Sequence, residues 1–292
     1  LELRLAVRRP YAAADLLGFL GARAVPGVEE CTAGQYARTL RLPHGHGLAR
    51  LSFADADQAG VVGCSLELSD LRDLAAAVER CRRLVDGDCD PEAVDAHLGA
   101  HHLLAPLVRA RPGLRVPGQV DGDEVAVRAV LGQQVSVAGA RRLAELLVHR
   151  YGDRLPDGRG MLFPSAATLA DVAPADLPMP RARGRALTAL CAALASGHIV
   201  LDRGADRSDV RRALLAVPGI GPWTADYIAM RALGDPDVFL SGDVGVRHAF
   251  VGLGLDPASA AVVSQEWRPW RSYAQMHVWS TLPTGSNRTR EK

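Results

Sequence analysis

The stretch with the clearest chemical content runs Leu214-Leu215-Ala216-Val217-Pro218-Gly219-Ile220-Gly221-Pro222-Trp223-Thr224-Ala225-Asp226-Tyr227. An apolar helix end enters Pro-Gly-Ile-Gly and passes directly into a second helix. Two glycines allow a tight turn and a close approach to a partner, and the free N–H groups that open the next helix can hold a phosphate. This is a helix-hairpin-helix pattern, a grip on DNA backbone that does not read sequence. The same letters fit an αα-turn with glycine as its cap, and the motif alone does not choose between the two. Asp243 lies 20 positions after Trp223, behind the apolar Val238-Phe239-Leu240 and the turn Ser241-Gly242, at the expected start of another helix. Taken singly, an aspartate there is an N-cap. The pairing of hairpin and aspartate calls for a joint explanation.

Composition removes several chemistries. Of 34 Lys+Arg in 292 residues, Lys292 is the one lysine, so mechanisms that need an internal lysine, Schiff-base formation among them, are excluded. With 33 Asp+Glu the net charge is +1, which lacks the basic excess of a polyanion binder. Affinity for nucleic acid then has to come from local groups, helix dipoles included, and a modest salt slope is expected. Five cysteines, Cys31, Cys64, Cys81, Cys89 and Cys191, show no CxxC, zinc-like or iron–sulfur spacing. They read as reduced, mostly buried thiols of a cytosolic protein. His44 and His46 in Pro-His-Gly-His-Gly, and the pair His101-His102, lack a ligand partner at a diagnostic spacing and read as surface-loop and helix-start histidines. No apolar run reaches the roughly 18 residues of a membrane span, and no signal peptide pattern opens the chain.

The elements that must position these residues fall into two patterns. Hydrophobic content of 48% supports two or three packed units. Residues 1–8 alternate strictly, a half-buried strand pattern, and a helix follows over 13–24 around Leu16, Leu17, Phe19 and Leu20. Further alternation predicts strands at 36–42, 47–53 and 64–69. Ser69 then suits the cap of a helix carrying Leu71, Leu74, Val78, Cys81 and Val85. Past Cys89-Asp90-Pro91 the alternation nearly vanishes. Helical segments are predicted at about 123–151, 165–173, 181–197, 208–217, 222–233, 243–253, 257–267 and 270–281. The fold class is therefore α+β, an antiparallel sheet with helices followed by a larger all-α region.

Several ordered stretches carry a resemblance. They are Leu17-Gly18-Phe19-Leu20, Ala22-Arg23-Ala24-Val25, Tyr36-Ala37-Arg38, Arg111-Pro112-Gly113-Leu114-Arg115, Val127 to Ala138 (VRAVLGQQVSVA), Pro218 to Tyr227, and Trp267 to Trp279 (WRPWRSYAQMHVW). Together with the spacing from hairpin to Asp243, they resemble the helix-hairpin-helix DNA glycosylase superfamily. Within it, the likeness narrows to AlkA-type 3-methyladenine DNA glycosylase II and covers nearly the whole chain. It implies a TATA-binding-protein-like N-terminal α+β domain over 1–89. It also implies one helical subdomain from 90–120 and 236–282, a second with the hairpin over 121–235, and a flexible tail at 283–292. The active-site cleft would lie between the helical subdomains.

The resemblance also implies residue roles. Asp243 becomes the catalytic carboxylate, stabilising an oxocarbenium-like sugar or orienting an attacking water. An alkylated purine that is already cationic needs no second carboxylate to protonate it, unlike glycoside hydrolysis. Trp223 stands where bifunctional members carry their Schiff-base lysine, which implies a monofunctional enzyme that leaves an abasic site. Trp223, Tyr227 and Trp279, with Phe19 from the N-terminal unit, match the base pocket, where a cationic base gains roughly 0.5–2 kcal/mol from cation–π contact. Each of these aromatics is also a plausible core anchor, and Trp267 and Trp270 are assigned to the core. Gln134 aligns with the wedge that fills the gap left by a flipped base, where the best-matching pattern has leucine. Gly219, Gly221 and Thr224 would bind phosphate through their amides. Carbonyls of Leu215, Val217 and Ile220 would hold a Na⁺ or K⁺, with no other cofactor expected. Val244-Gly245 replaces bulkier residues, which predicts a wider pocket mouth. Arg247, Arg268 and Arg271 are either a DNA-facing patch or ordinary solvated helix faces. The implied setting is a cytoplasmic, nucleoid-associated monomer acting on double-stranded DNA with alkylated bases in base excision repair, without membrane contact. A fused Ada-type region upstream of Leu1 is part of the same expectation. The competing class is a non-catalytic DNA-damage-binding module with the same hairpin, for which a pocket carboxylate has no use.

Overall fold

The computed structural model of the chain describes residues 1–282; the tail expected at 283–292 lies outside them. Five strands, β1 (Glu2–Ala6), β2 (Glu29–Thr32), β3 (Gln35–Leu42), β4 (Gly45–Ser52) and β5 (Val61–Leu68), form an antiparallel sheet in the order β1-β5-β4-β3-β2. Its register pairs Tyr36 with Leu51 and Leu51 with Cys64, so one row of buried side chains crosses the middle of the sheet. Helices α1 (Ala13–Arg23) and α3 (Leu74–Leu84) cover that face, and the short α2 (Ala56–Ala59) leads into β5. The edge strand β2 was not foreseen, because Glu29-Glu30-Cys31-Thr32 has no apolar alternation. Ser69 does not cap a helix: its hydroxyl accepts from the His46 amide at 2.9 Å, and Asp70 instead caps a 3₁₀ turn at Leu71–Asp73 that feeds α3.

The remaining helices are α4 (Pro91–Gly99), α5 (Ala105–Ala110), α6 (Gly122–Leu131), α7 (Val137–Tyr151), α8 (Ala166–Ala170), α9 (Arg181–Ala195), α10 (Arg207–Ala216), α11 (Pro222–Ala232), α12 (Val244–Gly252), α13 (Ala260–Val263) and α14 (Arg271–Trp279). Two-residue strands β6 (Asp153–Arg154) and β7 (Met161–Leu162) form a small hairpin after α7. The helix expected over about 123–151 is two, because Gln134 adopts φ +55° and the chain leaves helical geometry between Leu131 and Val137. The segment 257–267 is one turn of α-helix, α13, between two 3₁₀ turns. No helix among the described residues is long and apolar enough to cross a membrane.

Helix α6 is the hub. Seven of its residues, Glu124 to Val127 and Ala129 to Leu131, are buried, and it packs against α7, α8, α9 and α11. A hydrophobic core surrounds it, separate from the sheet's own core, and Phe19 is half-buried against both. Two polar joints tie sheet to helices. Arg115 is fully buried and donates to the carbonyls of Asp86, Cys89, Arg8 and Pro10. In the second joint, Arg38 on β3 pairs with Glu124 at 2.6 Å and with Glu29 at 3.5 Å, and Arg128 pairs with Glu124 at 2.9 Å and also with Glu29. Tyr36 donates to Glu29 at 2.5 Å. Burial disfavours the Glu29 carboxylate, but Arg128 and Arg38 outweigh it and hold the group below its ordinary range.

Each charge in this joint depends on the others, because an unpaired ion this deep has no solvent to turn to. Replacing Glu124 with Ala leaves the two cations Arg38 and Arg128 with the single carboxylate of Glu29. The expected loss is about 3–5 kcal/mol, measured as the drop in unfolding free energy in urea. A loss within ordinary surface-substitution range would show that the network contributes little.

Candidate active site

The hairpin joins α10 to α11. Val217 leaves the helix in extended geometry, and the Ile220 amide donates back to the Val217 carbonyl at 3.0 Å. Gly219 has φ +87°, and a Cβ at that position would stand 2.6 Å from Ala186 Cβ on α9. Backbone strain and the neighbouring helix therefore both demand glycine. Gly221 is the N-cap of α11 and Pro222 its first residue, a position where the missing N–H costs nothing. Among the described residues, the amides of Gly219, Gly221, Trp223 and Thr224 make no hydrogen bond. They form a cluster of free donors at a helix start, where the dipole favours an anion.

Asp243 is the N-cap of α12, its Oδ1 accepting from the Val246 amide at 3.0 Å. The same carboxylate accepts from two indoles: Trp279 Nε1 on α14 reaches Oδ1 at 3.0 Å, and Trp223 Nε1 on α11 reaches Oδ2 at 3.0 Å. Capping and site formation are thus combined in one side chain. Tyr227, one turn beyond Trp223 on the same helix face, stacks on it with ring centroids 5.2 Å apart and planes 12° apart. Its phenol oxygen accepts from Arg231 Nη1 at 2.7 Å. Burial pushes the Tyr227 phenol up, but Arg231, Arg23 and Arg128 together overcome it and hold the group below its ordinary value.

Trp223, Tyr227, Trp279 and Phe19 are all half-buried against the helical core. Phe19 reaches the group through cations rather than ring contact. Arg23 Cζ lies 3.6 Å and Arg231 Cζ 4.7 Å from its ring centroid, and Arg231 lies 5.6 Å from the Tyr227 ring. Arg231 itself is buried and donates to the carbonyls of Pro117 and Gly118. Gln134 stands apart from this cluster, exposed beside the exposed Val135 in the loop between α6 and α7.

Other residues are placed more plainly. Arg268 and Arg271 both pair with Asp237, at 2.9 and 2.7 Å, while Arg247 is exposed. Trp267 is buried edge-on to Phe239 at 5.1 Å, and Trp270 is half-buried. The five cysteines are free thiols, all buried except the half-buried Cys31. His44 pairs with Asp73 at 2.8 Å and the half-buried His101 with Glu266 at 3.1 Å. No cluster of His, Cys, Asp and Glu suited to a metal occurs among the described residues.

Gly245 is buried, and a Cβ there would lie 2.7 Å from Asp243 Oδ1 and 3.2 Å from Trp279 Nε1. The expected wider mouth is therefore a close approach: the absent side chain is what lets the indole reach the carboxylate. Sequence reading missed this, and it missed Arg231, which was visible only as a residue eight positions beyond Trp223. It also assigned Gln133 no role, although its side chain reaches the hairpin.

Replacing Gly245 with Ala forces the Asp243 carboxylate or the Trp279 indole to move. An overpacking cost of about 1–3 kcal/mol is expected, with the Trp279 indole N–H resonance shifting in NMR spectra while that of Trp267 stays. An unmoved Trp279 signal would refute the close-approach account. A second prediction concerns α14, which carries Trp279. Its His277 is fully buried, and burial pulls the imidazole down to about 4, with Arg111 adding to the effect. The unfolded chain takes up this proton near pH 6.5 and the folded one only near 4. Stability from His277 is therefore complete above pH 6.5 and falls as pH drops toward 4, by up to about 1.4 kcal/mol per unit. Asp123, pushed up to about 6 by burial and by Asp121, acts in the opposite sense. The comparison of parent with His277→Asn in urea at pH 7 and pH 5 isolates the histidine. Equal pH dependence in both would overturn the assignment.

A family model for the AlkA N-terminal domain matches residues 2–121. The probable bifunctional transcriptional activator/DNA repair enzyme AlkA of Mycobacterium tuberculosis is 50% identical over 286 residues, which is 96% of this chain and 57% of that protein. The chain thus spans little more than half the length of that relative. DNA-3-methyladenine glycosylase 2 of Escherichia coli is 37% identical over 276 residues, covering 93% of this chain and 94% of that one. Among solved structures, the 3-methyladenine DNA-glycosylase of Archaeoglobus fulgidus superposes with a TM-score of 0.82 over 95% of this chain and 97% of that chain, at 17% identity, a likeness of fold. With a near full-length relative at 37% identity, the chain belongs to the AlkA-type DNA-3-methyladenine glycosylase family of helix-hairpin-helix proteins.

Proposed function

We propose that the chain is a monofunctional DNA glycosylase that flips alkylated purines, 3-methyladenine foremost, out of double-stranded DNA and excises them. The observation that carries this reading is the Asp243 carboxylate fixed between the indoles of Trp223 and Trp279, with Trp223 in the same first turn of α11 that carries free amides of the hairpin. In the reaction the C1′–N bond breaks with both electrons leaving on the base. A methylated base that is cationic in DNA departs neutral. Positive charge develops on the sugar, where the carboxylate stabilises it in a partly desolvated site. Water then adds its oxygen to C1′ and loses a proton, which leaves an abasic site.

The partners follow from the same geometry. Amides of Gly219, Gly221 and Thr224 suit a backbone phosphate, the aromatic faces of Trp223, Tyr227, Trp279 and Phe19 suit a flipped base, and Gln134 with Val135 suits the vacated gap. Carbonyls of Leu215 and Ile220 accept no backbone hydrogen bond among the described residues, and that of Val217 accepts only from Ile220. These three would hold a Na⁺ or K⁺ whose effect is to stiffen the turn. The reading extends to a monomer working at the nucleoid in the cytoplasm. It also extends to an Ada-type region fused upstream of Leu1, which the bifunctional name of the Mycobacterium tuberculosis relative supports.

Release of methylated purines from alkylated duplex DNA tests the assignment. Asp243→Asn should lower the single-turnover rate by about 10²- to 10³-fold, while binding to an abasic-site duplex persists. Equal rates for parent and variant would remove Asp243 from the chemistry. If neither releases base while both bind DNA, the chain is instead a non-catalytic damage-binding module.

A further inference from the structure

Gln133 has a side chain that the proposed reaction does not use. It follows α6, and its own amide still bonds to the Val130 carbonyl at 3.2 Å. The side-chain amide crosses to the hairpin, where Nε2 donates to the Gly219 carbonyl at 3.1 Å and to Thr224 Oγ1 at 3.0 Å. A carbonyl can only accept, so the orientation of the amide is fixed by its partner. The two acceptors flank the turn, one at its left-handed glycine and the other at the buried threonine in the first turn of α11. One amide therefore spans the segment whose free N–H groups face outward. On the far side of the loop, Ser136 Oγ accepts from the Gly139 amide at 3.1 Å and caps α7. Gln134 and Val135 thus project, exposed, between two fixed posts, and Gln134 takes the left-handed φ that turns the chain outward.

We infer that Gln133 is a positioning residue, whose side-chain amide locks the loop bearing Gln134 and Val135 to the hairpin at a fixed separation. The inference rests on the glycosylase reading. Flipping a paired base requires that the backbone be held while something fills the gap, and both must happen in one geometry. A tip free to swing against the phosphate grip loses that coincidence, and misplacement by an ångström can cost far more than the lost contact. Without the Gln133 amide, the Gly219 carbonyl and Thr224 hydroxyl turn to water and the hairpin stays folded. The loss should fall on bases that must be levered out of a pair. Bases already outside the stack should feel little of it.

The test uses synthetic duplexes with a single 7-methylguanine, paired with cytosine in one and unpaired in a single-nucleotide bulge in the other. Gln133→Ala is expected to slow single-turnover excision about tenfold on the paired site and less than about twofold on the bulge. Gln133→Asn, a methylene too short, should not restore the paired rate. Because both partners belong to one clasp, adding Thr224→Val to Gln133→Ala should leave the paired-to-bulge ratio where Gln133→Ala alone puts it. An equal loss on both substrates overturns the inference, as does no loss on either by a variant of an active parent. A parent that releases base from neither duplex overturns the glycosylase reading instead, so the two failures are distinguishable.

Discussion

A single carboxylate organises the site, and its donor set explains why three helices meet where they do. Asp243 offers about four acceptor positions, and three N–H groups occupy three of them: the Val246 amide, the Trp223 indole and the Trp279 indole. Each comes from a different helix, so α11, α12 and α14 are held in register by one charged group. An ionised side chain in a half-buried place needs these donors, since lost hydration has to be replaced.

The rest of the molecule keeps that meeting point rigid. Helix α6 is buried on nearly every side, and it is held to the sheet by paired charges rather than by apolar contact alone. Arg128, one member of that network, also helps hold the Tyr227 phenol below its ordinary value. The sheet unit thereby reaches the site by two routes, through Arg128 and through Phe19 with its two guanidiniums. Neither route is a catalytic contact. Both fix where the aromatic group stands relative to the hairpin, and that positional precision governs rates in sites built on charge and orientation.

Strands β3 to β5, the paired helices α10 and α11, and the spacing from Trp223 to Asp243 were legible because each rests on local pattern. Alternation marks β3 to β5, and two glycines mark the hairpin. What escaped were contacts made across long sequence distance. Gly245 reads as a small residue at a pocket mouth, and only the closeness of Trp279, 34 positions on, turns it into a requirement. The glutamines are adjacent in sequence, yet Gln133 faces the hairpin and Gln134 is exposed. The difference comes from one left-handed φ that sequence pattern does not encode for glutamine. Arg268 and Arg271, which sequence leaves open between a DNA-facing patch and solvated helix faces, both pair with Asp237, a partner 31 and 34 positions away.

The near balance of 34 cations with 33 anions acquires a structural meaning from these pairings. Arginines at the joints and around Phe19 are engaged inside the protein, and those on Asp237 are paired with it. The free donors that do converge are main-chain amides of the hairpin. Their field is dipolar and short-ranged, and it carries few condensed counterions to displace. A cluster of that kind suits one anion in one geometry. It suits a protein that must stop at a single nucleotide more than one that coats a strand. The arginines around Phe19 are engaged in the same way, because the Phe19 ring is shared with the guanidiniums of Arg23 and Arg231, and the Tyr227 ring with that of Arg231. The Trp223 and Trp279 indoles instead direct their N–H groups at the Asp243 carboxylate, and among the described residues neither ring carries a protein cation over its face.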